Sequence, residues 1–308
     1  MIDAHPNGPV PLIVNIGARA GKDLDADAVR RAFAAHGVAV DVHRVEGDAI
    51  AKTVRTALDG GARTVIAAGG DGTVNAVASE LLEREDAVLG VLPVGTLNHF
   101  ARDLGMPVEL DEAAAVIAAG HARSVDVGEV DDALFLNNAS LGLYPAMVVQ
   151  REALQRTHGL GKWPALARAA WSVLRHPRSF SLELQVDGRT LHCRTPFVFV
   201  GNNPYVLEGP RAGQRNCLDA GRLCVHVLRT ASPLALVGLA LRALFGRLSE
   251  SDELDQMSTT ELVVQAHHPQ VRLARDGEVA MAAAPVHFRV RPRALRVIAP
   301  PESATGDR

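Results

Sequence analysis

The chain is 308 residues long, enough for one large or two ordinary domains, and at 47% hydrophobic and 22% charged it has the make-up of a globular protein rather than a disordered or fibrous one. A formal net charge of −3 argues against nucleic-acid binding through a general basic field. Three cysteines (Cys193, Cys217 and Cys224), odd in number and without CxxC spacing, suggest neither a disulfide framework nor a zinc site.

In the first part, strand and helix patterns alternate. Residues 10–16 read as a strand, 24–36 as an amphipathic helix, 38–45 as a second strand, and 49–58 as a helix. Then follow a third strand at 64–68, a helix at 74–82, a fourth strand at 88–93, and a helix at 113–119 that Gly120 stops. Such alternation implies a parallel sheet covered on both faces, with ligands outside the carboxyl ends of its strands. From about Ser124 the chain turns β-rich, with runs at 133–139, 181–186, 195–200, 222–227, 261–266 and 286–290 and turn signals at Asp187-Gly188 and Asp276-Gly277. Two helical insertions are expected, over 145–174 and 234–248. The first carries Trp163 and Trp171 beside Lys162, Arg168 and Arg175, and the second is leucine-rich. Each suits either packing on the sheets or lying at a membrane interface. The longest apolar stretch, residues 233–245, is broken by Arg242 and too short to span a bilayer. The N-terminal run lacks the basic region of a signal peptide, so the expected place is the cytoplasm, with a peripheral position at the inner membrane left open. Arg289, Arg291, Arg293 and Arg296 alternate as on the solvated face of a strand, and the tail from Pro300 reads as disordered.

Three glycine-containing loops stand at strand ends. Gly69, Gly70, Asp71, Gly72 and Thr73 spell GGDGT directly after an apolar strand. Two glycines allow φ > 0 and close approach of a ligand, and Thr73 is a candidate helix N-cap whose helix start would face an anion. Asp71 is the odd member, because a carboxylate repels bare phosphate; it fits if Mg²⁺ lies between, or if it orders water or a hydroxyl. A glycine-rich turn without a ligand is the plainer alternative. The second loop, PVGTLNHFARDLG, offers Gly95 for close approach and Thr96 and Asn98 as hydroxyl and amide groups, and should lie beside the first. The first strand ends in Asn15, followed by two glycines and two cations up to Lys22, which suits phosphate contact or a solvated loop. Taken alone, Asp276-Gly277-Glu278 is a hairpin turn and Asp126 a carboxylate on a short strand.

GGDGT, the GTLNHFAR element that follows, Val125-Asp126-Val127-Gly128, the segment 137–142 and the late DGE together resemble the diacylglycerol kinase catalytic-domain family of lipid kinases, over nearly the whole chain. The resemblance implies an N-terminal three-layer α/β domain with a parallel sheet (residues 1–130, completed by 293–308) and a C-terminal β-sandwich domain (131–292) that takes the lipid. It implies an ATP- and Mg²⁺-dependent kinase whose γ-phosphate goes to a hydroxyl of diacylglycerol or a related lipid reached at a membrane surface, in a cleft between the domains. Carried over by position, Gly69 to Thr73 with Asn75 and Thr96 hold the nucleotide phosphates, Asp71 and Asp126 belong to the metal network, and Asp276 or Glu278 takes the hydroxyl proton. Asn15, Gly95 and Asn98 complete the nucleotide-binding set. Family habit also allows a homodimer through the second domain. Several positions depart from the pattern. His99 stands where many members have Asp, Ile16 replaces a proline, His43 replaces a threonine, and Ala220 rather than Asp precedes Gly221. The alternatives are a kinase of a soluble nucleotide, similar to NAD kinases that share GGDGT, and a non-catalytic nucleotide- or lipid-binding regulator. The specific lipid is not written in any motif.

Overall fold

The computed structural model describes residues 8–17, 19–149, 168, 172, 179–209, 213–229, 232–244, 247, 251 and 253–301. In chain order the elements are β1 (Val10–Asn15), α1 (Arg19–Lys22), α2 (Ala26–Ala34), β2 (Val40–Val45), α3 (Ala49–Asp59), β3 (Thr64–Gly69), α4 (Asp71–Leu81), β4 (Val88–Pro93), α5 (His99–Asp103) and α6 (Leu110–Ala119). There follow β5 (Ala122–Val130), β6 (Ala133–Phe135), β7 (Asn138–Gly142), β8 (Phe180–Val186), β9 (Arg189–Thr195), β10 (Phe197–Asn202), β11 (Leu223–Leu228), α7 (Pro233–Leu244), β12 (Leu254–Thr259), β13 (Glu261–Ala266), β14 (Gln270–Arg275), β15 (Glu278–Ala283) and β16 (Val286–Ile298). Two compact units result: Met1–Val125 with Arg293–Arg308, and Asp126–Pro292. The insertion expected over 145–174 is helical at 143–149 and at the isolated residues 168 and 172, while Trp163, Trp171, Lys162 and Arg175 lie outside the described residues, as do residues 245–246 and 248 of the second insertion and residues 302–308.

The first unit is an α/β domain. Its strands run in the order β2-β1-β3-β4 and all pair in parallel, with the end of β16 added in parallel beside β4 through Arg296 and Val297. β1, β3 and β4 are buried along nearly their whole length, because a parallel sheet covered on both faces buries both sides of each strand and so selects continuous apolar runs. α2 packs on α6, and α3 packs on α4. Right-handed crossovers explain this division: the connection from β1 to β2 moves one way along the sheet, and those from β2 to β3 and β3 to β4 move the other way. The direction therefore reverses between β1 and β3, the place where a sheet of this kind opens a crevice at its carboxyl edge. Gly120 ends α6 in the left-handed region at φ 71°.

The second unit is a β-sandwich-like domain. One sheet has the order β12-β11-β10-β7-β14-β15; facing it, β13 pairs with β16 and β8, and β8 pairs with β9, all antiparallel. Alternate residues of both sheets fill one core, including Leu141, Val198, Val200, Val225, Leu184, Leu262, Val264 and Phe288. Asp187-Gly188 and Asp276-Gly277 both turn with two positive φ values, the geometry of a tight two-residue hairpin. The expected strand 133–139 is broken into β6 and β7, because the N–H groups of Leu136, Asn137 and Asn138 leave the sheet ladder and donate to Asp276. β9, β12, β14 and β15 carry polar or exposed residues at many positions and gave no apolar run to read. Along β16, the inward set shifts from Val286, Phe288 and Val290 to Leu295 and Val297. Arg293, at φ 50°, marks the slip of one residue, as a bulge does.

Candidate active site

In the first unit, the carboxyl ends of β1, β3 and β4 lie side by side. Val14 pairs with Ala68, and Gly69 pairs with Pro93, so Asn15, the GGDGT loop and the second glycine loop share one edge. Gly70, in extended conformation, is the N-cap of α4, and Asp71 is its first residue. The expected N-cap, Thr73, instead sits buried in the first turn of that helix. Only Gly105, at the far end of the PVGTLNHFARDLG segment, adopts a positive φ, at 76°. Gly69, Gly70, Gly72 and Gly95 all lack one, contrary to the expectation of φ > 0 for the GGDGT pair. Their need is for space. A Cβ on Gly95 would lie 2.4 Å from the Cα of Gly70, and one on Gly69 would lie 2.4 Å from the Thr73 side chain. The two loops thus meet backbone against backbone, glycine on glycine, leaving main-chain groups and the α4 N-terminus at the edge.

Asp71 joins the loops. Its carboxylate accepts the N–H of His99 at 3.1 Å and of Phe100 at 3.0 Å, capping the first turn of α5. Asn98, in the left-handed region at φ 49°, donates its amide Nδ2 to the carbonyl of Gly95 at 2.9 Å. Its Oδ1 is buried, has no hydrogen-bond partner, and stands 2.5 Å from where a Gly95 Cβ would be. The His99 ring contacts Arg102 through Nδ1 at 3.1 Å. Asn75 follows Asp71 by one helical turn on the same face of α4, and Thr96 is exposed. Asn15 accepts the N–H of Gly17 through Oδ1 at 2.9 Å, and a Cβ on Gly21 would run into the Asn15 carbonyl. Arg44, which sequence reasoning missed, donates to the carbonyls of Gly21, Lys22 and Leu24 and so anchors this loop. Nothing in its position on β2 signals that role.

In the second unit, Asp126 is almost fully buried on β5. Its N–H donates to the Leu218 carbonyl at 2.7 Å, and its Oδ2 accepts the N–H of Gly221. Asn203 accepts the N–H of Ala220 at 2.8 Å, so the turn that lacks the expected Asp is held by Asp126 and Asn203. Asp276 sits at the hairpin between β14 and β15, where its carboxylate accepts three successive N–H groups: Leu136 at 2.7 Å, Asn137 at 2.9 Å and Asn138 at 3.0 Å. Consecutive amides aimed at one anion form a nest, and each bond is charge-assisted. Asn202 ties the two aspartates together by donating to the carbonyls of Asp126 and Leu136. The buried Arg215 donates to the carbonyls of Leu136 and Asn202 and to Oδ1 of Asn137. Sequence reasoning missed Asn202, Asn203 and Arg215. The adjacent Asn-Asn pair at the end of an apolar strand was the one available signal, since such amides need buried partners. Glu278 is exposed at the start of β15, outside this network.

The donor set is one of carboxylate and amide oxygens, backbone N–H groups and a backbone cradle that a Cβ would fill. It suits nucleotide phosphates. Among the described residues, no three His, Cys, Asp or Glu side chains group as metal ligands. The thiols are raised above their usual range by burial, Cys224 to about 11, and are poor nucleophiles.

Comparison with known proteins agrees with the architecture. Residues 9–130 match the family described as diacylglycerol kinase catalytic domain, and residues 148–299 match the YegS C-terminal NAD kinase beta sandwich-like domain. A relative from Enterobacter sp. (strain 638), named "Probable lipid kinase YegS-like", is 29% identical over 96% of this chain and 97% of its own length. "Probable lipid kinase YegS" of Salmonella gallinarum (strain 287/91 / NCTC 13346) is 29% identical over 79% of this chain and 80% of its own. A solved diacylglycerol kinase structure from Bacillus anthracis str. Sterne superposes with a TM-score of 0.68 at 20% identity, covering 95% of this chain and 97% of that one. A further solved chain from that organism gives a TM-score of 0.74 at 23% identity, over 96% and 98%. The solved structures establish likeness of fold. The two adjoining matches give the chain a diacylglycerol kinase catalytic domain at residues 9–130 and a YegS-type C-terminal domain at residues 148–299.

Proposed function

We propose that the protein is an ATP- and Mg²⁺-dependent lipid kinase that transfers the γ-phosphate to a hydroxyl of diacylglycerol or a related lipid. The observation that carries this reading is the glycine-on-glycine junction of Gly70 and Gly95, tied by Asp71 to α5, at the carboxyl edge of β3 and β4 in a chain that carries this catalytic domain. In this reading Gly69, Gly70, Gly72 and Thr73, with Asn75, Gly95, Thr96 and Asn98, hold the nucleotide phosphates, and Asn15 borders them. The orphan Oδ1 of Asn98 would accept a hydrogen bond from the nucleotide. Asp71 and Asp126 would order the water around Mg²⁺, which when bound neutralises charge on the phosphates. A carboxylate takes the acceptor's proton as its oxygen bonds to the γ-phosphorus. The bond from that phosphorus to the bridging oxygen breaks, and ADP leaves.

Of the two candidate bases, we assign the proton to Glu278. Asp276 already accepts three N–H groups, and its work is to hold Leu136, Asn137 and Asn138 in place. The names of the relatives supply the lipid as acceptor class. The approach to a membrane is supported by α7, where Leu234, Val237 and Leu241 form an exposed apolar stripe, Leu234 at 85% exposure, while Leu236 is buried. No helix among the described residues is long and apolar enough to cross a membrane. Transfer of label from [γ-³²P]ATP to lipids in mixed micelles tests the proposal. A labelled lipid is the expected result. Label on NAD alone, or no transfer despite ATP binding, would overturn it.

A further inference from the structure

The chain leaves β1 at Asn15 and enters α2 at its N-cap, Asp25. Between them lies α1, which packs against both β1 and β3. These two strands flank the point where the direction of the sheet reverses, so α1 stands beside the GGDGT loop at the crevice of the first unit. Little of what usually fixes a segment holds this one. α1 has four residues, too few to be stable through its own hydrogen bonds. Gly21 is buried against β1, where a Cβ would run into the Asn15 carbonyl, while Lys22 and Asp23 are exposed.

Three carbonyls of the segment converge on one side chain. Arg44 donates from Nη1 to Leu24 at 2.8 Å, and from Nη2 to Lys22 at 3.0 Å and to Gly21 at 3.3 Å. Two of these carbonyls belong to the last turn of α1, where a helix leaves its C=O groups unsatisfied. A guanidinium reaches several such oxygens at once from a planar fork, which an ammonium on a flexible stem does not. Arg44 is fixed in turn by β2, where it pairs with Val14, and the next carbonyl, that of Val45, accepts the N–H of Ile16 at 2.9 Å. The end of β2 therefore holds the chain both before and after α1.

We propose that Arg44 is a positioning residue for nucleotide binding: by collecting the Gly21, Lys22 and Leu24 carbonyls it keeps α1 at the crevice, as a preformed wall beside Asn15. The inference rests on the nucleotide-phosphate reading of this edge. Arg44 touches no nucleotide in this scheme and acts through the main chain of residues 21–24. Without it the segment loses its anchor, and ATP has to order it on binding, which costs affinity.

The test uses the full chain as wild type, Arg44→Ala, Arg44→Lys and Arg30→Ala. It measures ATP dissociation constants by calorimetry without lipid, Tm, and hydrogen exchange of residues 19–24. Arg30, paired with Asp27 on α2, controls for the loss of one positive charge. Arg44→Ala should weaken ATP binding about tenfold, the weight of a charge-assisted anchor, and should speed exchange at 19–24 while β3 and β4 exchange as in wild type. Arg44→Lys keeps the charge without the fork and should bind about threefold more weakly than wild type, whereas Arg30→Ala should bind ATP as wild type does. In phosphate transfer, Arg44→Ala should raise the KM for ATP by the same factor as its dissociation constant, with kcat and the lipid KM unchanged. A lower Tm in Arg44→Ala with wild-type ATP affinity would make Arg44 a stabilising contact alone and overturn the proposal. Equal losses in Arg44→Ala and Arg30→Ala, or wild-type affinity in Arg44→Lys, would overturn it as well, by assigning the effect to charge. Transfer to no lipid, with the ATP affinities ordered as expected, would sink the kinase reading and leave Arg44 in its role. A wild type that binds no ATP would overturn both.

Discussion

At the scale of single residues, the two carboxylates of the late DGE have different work, and stability separates them. Asp276→Asn replaces an acceptor of three N–H groups by an amide that can face them with only one oxygen, so it should cost about 2–4 kcal/mol in urea unfolding. Glu278→Gln, on an exposed side chain, should stay within about 0.5 kcal/mol and still remove turnover. His226 supplies a pH signature. Its ring stays neutral in the fold down to about pH 4, whereas in the unfolded chain it takes its proton near 6.5. Between those values the unfolded state binds more protons, so stability falls as pH drops through the window, by about 3 kcal/mol. His226→Phe should flatten the unfolding free energy between pH 6.5 and 4; an unchanged slope would assign the loss to other groups. In the sequence these roles were only half visible. Asp71 and Asp276 stood out by motif, but that both accept backbone N–H groups from segments 28 and 138–140 residues away could not be read from local chemistry. Arg215 and Asn202 look like surface residues until the segment 136–138 is seen to need donors for its carbonyls.

At the scale of elements, the sheet of the first unit was the most legible part. Runs such as Thr64–Gly69 and Val88–Pro93 are buried on both faces, which leaves a continuous apolar signal. β9 and β15 were missed because a strand exposed on many sides carries no such signal. The GGDGT glycines were expected to allow φ > 0 and close approach of a ligand, and Gly95 close approach; none of them has a positive φ, and Gly69 and Gly95 are needed for close packing, a property of the neighbouring segment that no single loop reveals. This difference predicts an asymmetry. Gly95→Ala drives a methyl group to 2.4 Å from Gly70 Cα and should destabilise by about 1–3 kcal/mol while weakening ATP binding. Gly70→Ala meets its nearest neighbour at 3.5 Å in an extended conformation and should fold within about 1 kcal/mol of wild type. Equal losses in thermal unfolding of the two variants would contradict the glycine-on-glycine junction.

At the scale of the whole molecule, the chain changes units inside two strands, between Val125 and Asp126 in β5 and between Pro292 and Arg293 in β16. The proposed nucleotide residues belong to the first unit, and the proposed base Glu278, with Asp126, to the second. The central claim is that the chain moves a phosphoryl group onto a lipid hydroxyl. The most direct measurement is the initial rate of ³²P transfer from [γ-³²P]ATP to dioctanoylglycerol in mixed micelles, with and without Mg²⁺, for wild type and Glu278→Gln side by side. The account predicts Mg²⁺-dependent labelling of the lipid by wild type and a loss of about 10²-fold or more in the variant, with its fold intact. Wild type that binds ATP and labels no lipid, or a Glu278→Gln variant as fast as wild type, would contradict the account, the first its function and the second its base.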